Sequence, residues 1–153
     1  LRFDILFTRE ELTRELPRLM AVSAPPLEAV LFTQQHFYVP DSEECIRAFR
    51  GSKCDFPDAL LFWIKTLQSQ DWGYRQQYFA PYVGLGLCEA ISAAQFAELV
   101  ASHSEALAQP LPSFLTDLDG FRKGLRMYAE WYDVAAVAEL RETYVAFCWS
   151  TTA

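Results

Sequence analysis

The sequence is short of the residues that usually carry chemistry. Only two histidines, His36 and His103, occur in 153 residues, and neither sits in a pattern that supplies a nucleophile or an orienting carboxylate. The four cysteines, Cys45, Cys54, Cys88 and Cys148, fall in separate segments with no C-x-x-C pair and no neighbouring histidine, which leaves no zinc set. Their neighbours are apolar (Ile46 and Phe49; Leu87; Phe147 and Trp149), as expected of buried thiols kept reduced in a cytoplasmic setting. Glycine is scarce too, at six residues, and Gly84-Leu85-Gly86 lacks the third glycine and the Lys-Ser/Thr of a phosphate loop, so a nucleotide site is dismissed. The longest strongly apolar stretch, residues 59–64, is far below the ~18 residues of a membrane span.

Positive charge is also in deficit. Lys and Arg number 13 against 20 Asp and Glu, for a net charge of −7. Such a field repels nucleic acid, whose binding depends on cations displacing phosphate counterions. It would speed encounter with a basic protein, although mild acidity also serves solubility alone. The sequence therefore predicts no nucleic acid, no membrane, no metal and no cofactor among the ligands.

What is abundant is aromatic: 12 Phe, 7 Tyr and 4 Trp in a chain that is 52% hydrophobic. That composition belongs to a well-packed domain able to fold alone, and the length fits one domain spanning 1–153. The chain opens on Leu1 rather than Met, so a preceding segment is expected to have been removed or omitted; nothing within it reads as a signal peptide.

Phe3, Ile5 and Phe7 alternate with Arg2, Asp4 and Leu6, which predicts a short strand. Thr8 and Glu11 make a capping box for a helix with Leu12, Leu16 and Leu19 on one face, and Pro17 is expected to kink or shorten it. Residues 27–39 read as a strand, and Asp41 with Glu44 as the cap of a short helix carrying Cys45, Ile46 and Phe49 and stopped by Gly51. A third helix over residues 57–69 is apolar around too much of its circumference for one stripe and is expected to lie centrally. Residues 83–88 alternate like a strand. Ser92 and Gln95 box another helix, with Phe96, Leu99, Val100 and His103 at helical spacing. Ser113 opens a helix in which Phe114, Leu118, Phe121, Leu125 and Tyr128 repeat at steps of three and four, with Gly120 and Gly124 admitting close packing. The C-terminal segment predicts a β-hairpin with Val134, Ala136, Ala138 and Leu140 on one face of the first strand and Val145, Phe147 and Trp149 on one face of the second.

Candidate chemistry is thin. The carboxylate pairs Glu10/Glu11, Glu43/Glu44 and Asp117/Asp119 sit in first turns of expected helices, where amide dipoles already favour them. Arg47, Arg50 and Lys53 around Gly51 could hold an anion, but they would complement a helix C-terminus without any ligand, and that reading is preferred. The segment 71–79 stands out, because Trp72, Tyr74 and Arg75 are the residue types enriched at binding hot spots. Their rings either present outward or close over the core. With the acidic Asp41, Glu43 and Glu44 they make the expected partner-binding set, and no catalytic residue is assigned.

These readings predict a single α+β domain: a mainly antiparallel sheet with a C-terminal β-hairpin and about five helices, packed mainly on one face. The leading functional expectation is a small cytoplasmic module that binds another protein, basic in character, and neutralises or regulates it. In size, acidity and lack of catalytic vocabulary it parallels a bacterial toxin-immunity protein by class alone. The alternatives are a hydrolase with a dispersed carboxylate or Cys/His site gathering His36 with Cys54 or Cys88, and a homo-oligomeric structural subunit, a homodimer being its simplest form.

Overall fold

The computed structural model describes residues 5–152. Two capping boxes read from the sequence form as expected. The Thr8 hydroxyl accepts the Glu11 N–H at 3.1 Å while the Glu11 carboxylate accepts the Thr8 N–H at 3.0 Å, and helix α1 (Arg9–Ala21) starts there. Pro17 does not cut it short. Pro17 and Thr13, whose carbonyl loses its helical partner, both face solvent, so water can take the place of the missing bond. The strand expected over the first seven residues is not formed by 5–7, which are irregular although Phe7 is fully buried; its first four residues lie outside the described residues.

Residues 27–39 divide into strand β1 (Glu28–Phe32) and a 3-10 turn over Gln34–His36. The helix expected at Cys45–Phe49 is instead strand β2 (Glu44–Ser52). Ile46 and Ala48 face one side of the sheet and Phe49 the other, and all three are buried, so burial on both faces hides the alternation that marks a strand. Gly51 is part of this strand rather than a helix stop. Asp58 caps helix α2 (Ala59–Gln68) through a 2.9 Å bond from the Leu61 N–H. This helix is central, with Phe62, Trp63 and Ile64 at zero exposure.

A 3-10 segment over Gly73–Tyr78 leads into helix α3 (Phe79–Gly84). The strand expected at residues 83–88 is thus displaced by a helix end and a loop, and β3 forms only at Glu89–Ile91. Ser92 and Gln95 close the second box at the head of helix α4 (Ala93–His103). The long helix expected from Ser113 is a single turn, α5 (Ser113–Thr116), followed by strand β4 (Lys123–Glu130). The hairpin of β5 (Asp133–Glu139) and β6 (Thr143–Thr151) forms as predicted, with Val134 opposite Trp149 and Ala136 opposite Phe147.

The six strands make one antiparallel sheet in the order β1-β2-β6-β5-β4-β3. The chain is a single α+β domain, but its helices do not crowd one face. Helices α1, α2 and α3 pack on the face carrying Phe49, Val137, Tyr144 and Ala146. Helices α4 and α5 pack on the other, which carries Ile46, Ala136, Val145 and Phe147. Among the described residues, no helix is long and apolar enough to cross a membrane.

Candidate functional site

Strand register gathers one end of the sheet. Glu44 at the start of β2 pairs with Thr151 at the end of β6, Asp133 at the start of β5 pairs with Ser150, and Glu130 at the end of β4 pairs with Asp133. The β4–β5 turn therefore projects Trp131 and Tyr132 from this end, their rings edge to face at 5.3 Å. Trp131 is 70% exposed and Tyr132 46%. Each turn residue borders a different concavity, one on each side of the sheet.

Trp131 borders a groove of about 580 Å³ between α4 and the β4–β5 strands, with Ile91, Leu99 and Val134 as apolar lining and the exposed carboxylates Glu98 and Glu130 beside it. Arg126 in the same groove is held by Glu89 at 2.8 Å. His103 is also there, its Nδ1 2.9 Å from the Leu99 carbonyl and its ring 5.1 Å from that of Trp149. The Ser102 hydroxyl lies 3.1 Å from the same Nδ1 and donates to the Leu99 carbonyl at 3.2 Å, so ring and hydroxyl share one backbone carbonyl at the end of α4. An apolar floor, an indole and two anions suit a side chain with a greasy stem and a cationic head.

Tyr132 borders a cleft of about 470 Å³ on the other face, together with Arg47, Trp72, Arg75, Tyr82 and Asp133. Tyr82 donates to the Asp133 carboxylate at 2.6 Å and stacks on Tyr128 at 4.3 Å, whose hydroxyl donates to the Tyr82 carbonyl at 2.6 Å. Burial pushes the Asp133 carboxyl above its usual range, opposed by the Tyr82 hydrogen bond, with Glu130 adding to the rise and Arg47 opposing it. Burial also raises both tyrosine hydroxyls, with the Asp133 charge adding to it. Beneath the cleft the Cys148 thiol is pushed up to about 12, first by burial and then by Asp133.

The predicted partner-binding residues have divided roles. Trp72 closes over the core: its ring lies 5.2 Å from Phe79 and 5.5 Å from Tyr82, and its indole N–H donates to the Leu67 carbonyl at 2.8 Å. Tyr74 presents outward at 89% exposure, and Arg75 lines the cleft. Asp41 is a turn residue in the left-handed region (φ 62°) whose carboxylate accepts from Gln34 at 2.7 Å. Glu44 accepts from the Trp149 indole at 2.8 Å, and Glu43 is exposed. Two of these six, Trp72 and Glu44, are thus committed to holding the fold.

The dispersed Cys/His arrangement is not assembled. His36 takes the Thr33 N–H on its Nδ1 at 3.0 Å and packs edge-on to Phe32, Cys54 is exposed in the turn after β2, and Cys88 lies beside Thr8 and Arg9. All four cysteines are free. Burial raises Cys45, and burial first among its causes pushes Cys88 up to about 11, the opposite of thiolate activation. No group of three or more His, Cys, Asp or Glu side chains able to hold a metal occurs among the described residues.

Sequence reasoning missed Trp131, Glu98, Glu130 and Asp133, and set Arg47 aside as a helix-end cation although it lies in strand β2. A signal for the first was present: Glu130-Trp131-Tyr132-Asp133 places two large aromatics between carboxylates immediately before the predicted hairpin, where a turn displays rather than buries them. Comparison with known proteins returned no match: no family model, no curated protein and no solved structure is similar enough to this chain to lend it a family or a function.

Proposed function

We propose that this protein is a small acidic binding module that docks a basic partner protein and neutralises or regulates it, as a bacterial immunity protein does for its toxin. The observation that carries the reading is the groove beside Trp131. An exposed indole over an apolar floor, flanked by Glu98 and Glu130, has the makeup of an interface hot spot: an aromatic anchor, a desolvated pocket and charges that steer. Tyr74, Asp41 and Glu43 are exposed as well, and the net charge of −7 favours approach by a basic protein. The four free thiols suit a reducing cytoplasm.

The test is affinity capture from host lysate by the wild-type chain beside a Glu98→Lys/Glu130→Lys/Trp131→Ala variant, at low and raised salt. The reading expects one basic protein held stoichiometrically by wild type, weakened by salt and lost from the variant. Absence of a stoichiometric partner, equal retention by the variant, or recovery of only a second copy of this chain would overturn it.

A further inference from the structure

We propose that the cleft beside Tyr132 binds a zwitterionic small molecule of the amino-acid class, its carboxylate on Arg47 and Arg75 and its ammonium on Asp133 and Asp71. The inference is independent of the partner groove, which lies on the other face of the sheet.

Three cations, Arg47, Arg50 and Lys53, lie on β2 and the turn that follows it. Arg50 is spoken for by Glu28 and Lys53 by Glu139. Arg47 is not: among the described residues no carboxylate forms a salt bridge with it and no hydrogen bond engages its guanidinium. It is nevertheless half-buried, on the sheet face that carries Cys148 and Asp133. A guanidinium withdrawn from water without a partner is costly and offers a planar fork suited to a carboxylate.

Asp133 gives the complementary half. It stands on the other side of β6 from Arg47, two strands across and two residues further along, facing the same cleft. Its only hydrogen-bond donor among the described residues is the Tyr82 hydroxyl, and Arg47 acts on it through space without forming a direct ion pair. Asp71 and Arg75, both exposed, add one charge of each sign at the mouth, and neither forms a salt bridge among the described residues.

The mixed signs select the ligand. A simple anion would meet Asp71 and Asp133, and a simple cation would meet Arg47 and Arg75. Only a molecule bearing both charges pairs all four groups, and the rings of Tyr132, Trp72 and Tyr82 give its apolar part a wall. The volume of about 470 Å³ is within the range of small-molecule sites.

Isothermal titration of the full chain with L-phenylalanine, L-leucine, N-acetyl-phenylalanine and phenylalanine amide tests this. At least one free amino acid is expected to bind, and each capped analogue at least about tenfold more weakly, since each loses a charge-assisted contact. Arg47→Gln should cost the free amino acid its preference over the amide, and Asp133→Asn its preference over the acetylated form. Glu98→Lys, in the partner groove and not in this cleft, should change neither, which separates the two sites. No heat from either free amino acid up to millimolar concentration would overturn the proposal, and so would binding of a capped analogue as tight as that of its parent. The wild-type comparison stands even where a variant fails to fold.

Discussion

Glycines 51 and 84 show how differently one residue type is used. A Cβ on Gly51 would meet Phe56 at 2.6 Å and Phe62 at 2.9 Å, ring atoms that are themselves buried, whereas one on Gly84 would meet nothing within 4 Å. Gly51→Ala is therefore expected to cost about 1–3 kcal/mol through overpacking. Gly84→Ala, in the last turn of α3, is expected to gain about 0.5 kcal/mol from lower unfolded-state entropy. Urea midpoints of the two variants beside wild type check the pair, and a Gly51→Ala midpoint equal to wild type would show that the aromatic cluster yields. Asp133 makes the other prediction at this scale. Its folded-state pKa is raised by burial, so the native state holds the proton to higher pH than the unfolded chain. Stability from this group is present at low pH and is lost as pH rises from the ordinary carboxylate range through the raised value. Asp133→Asn removes that titration, so the variant's melting temperature should gain on wild type across the same window and run parallel above it. Arg47, Glu130, Tyr82 and Cys148 surround the group and are unchanged in the comparison, which isolates Asp133; a temperature difference that is flat with pH would contradict the assignment.

At the scale of elements, what could be read in the sequence was what local rules decide. Thr8/Glu11 and Ser92/Gln95 fix helix starts because the partners lie three residues apart and need no tertiary help. The β5–β6 hairpin was legible from composition, since Tyr144, Val145, Phe147 and Trp149 are β-branched or aromatic, whereas β5, buried on both faces, carries no alternation. Strand β4 was not, and the reason is specific. Its register slips between Arg126 and Tyr128, so a bulge at Met127 sends Leu125, Met127 and Tyr128 into the same core, and a spacing of three between Leu125 and Tyr128 imitates a helix. The Asp41 and Glu44 pattern misled for a different cause: these carboxylates serve a left-handed turn and the Trp149 indole, long-range uses that no local rule reveals. The site was half legible for the same reason, since Trp72, Tyr74 and Arg75 announce themselves by type while Arg47 and Asp133 acquire meaning only when β6 sets them on either side of one cleft. The cap of α4 also carries a prediction. Ser92→Ala removes the acceptor for the Gln95 N–H and should cost about 1 kcal/mol. Hydrogen exchange should quicken first in the opening turn of α4, which borders the Trp131 groove through Ala94 and Gln95; unchanged protection there would mean that packing of Phe96 and Val100 alone holds the helix end.

For the whole molecule, the decisive feature is that two cores share one sheet. Strands β5 and β6 send alternate residues to opposite sides, Val137 and Ala146 to the core under α1, α2 and α3, Ala136 and Phe147 to the core under α4 and α5. Removing either helical layer exposes one face of strands whose other face still needs them, so neither half can be lost while the other stays native. Unfolding should accordingly be a single cooperative transition despite a length at the upper edge of simple two-state behaviour. The tryptophans provide a reporter for each layer: Trp63 is fully buried in the first core, and Trp149 packs against the second. Replacing Trp72, Trp131 and one of this pair with Phe leaves a single fluorophore on a chosen side of the sheet. Urea curves from the Trp63 reporter, the Trp149 reporter and far-ultraviolet circular dichroism should then share one midpoint within each variant. If the Trp149 signal moved first, the layer that forms the partner groove would be separable from the rest. Docking at Trp131 would then stabilise that layer alone; in a cooperative molecule, a ligand at either concavity stabilises the entire chain by the same mass action.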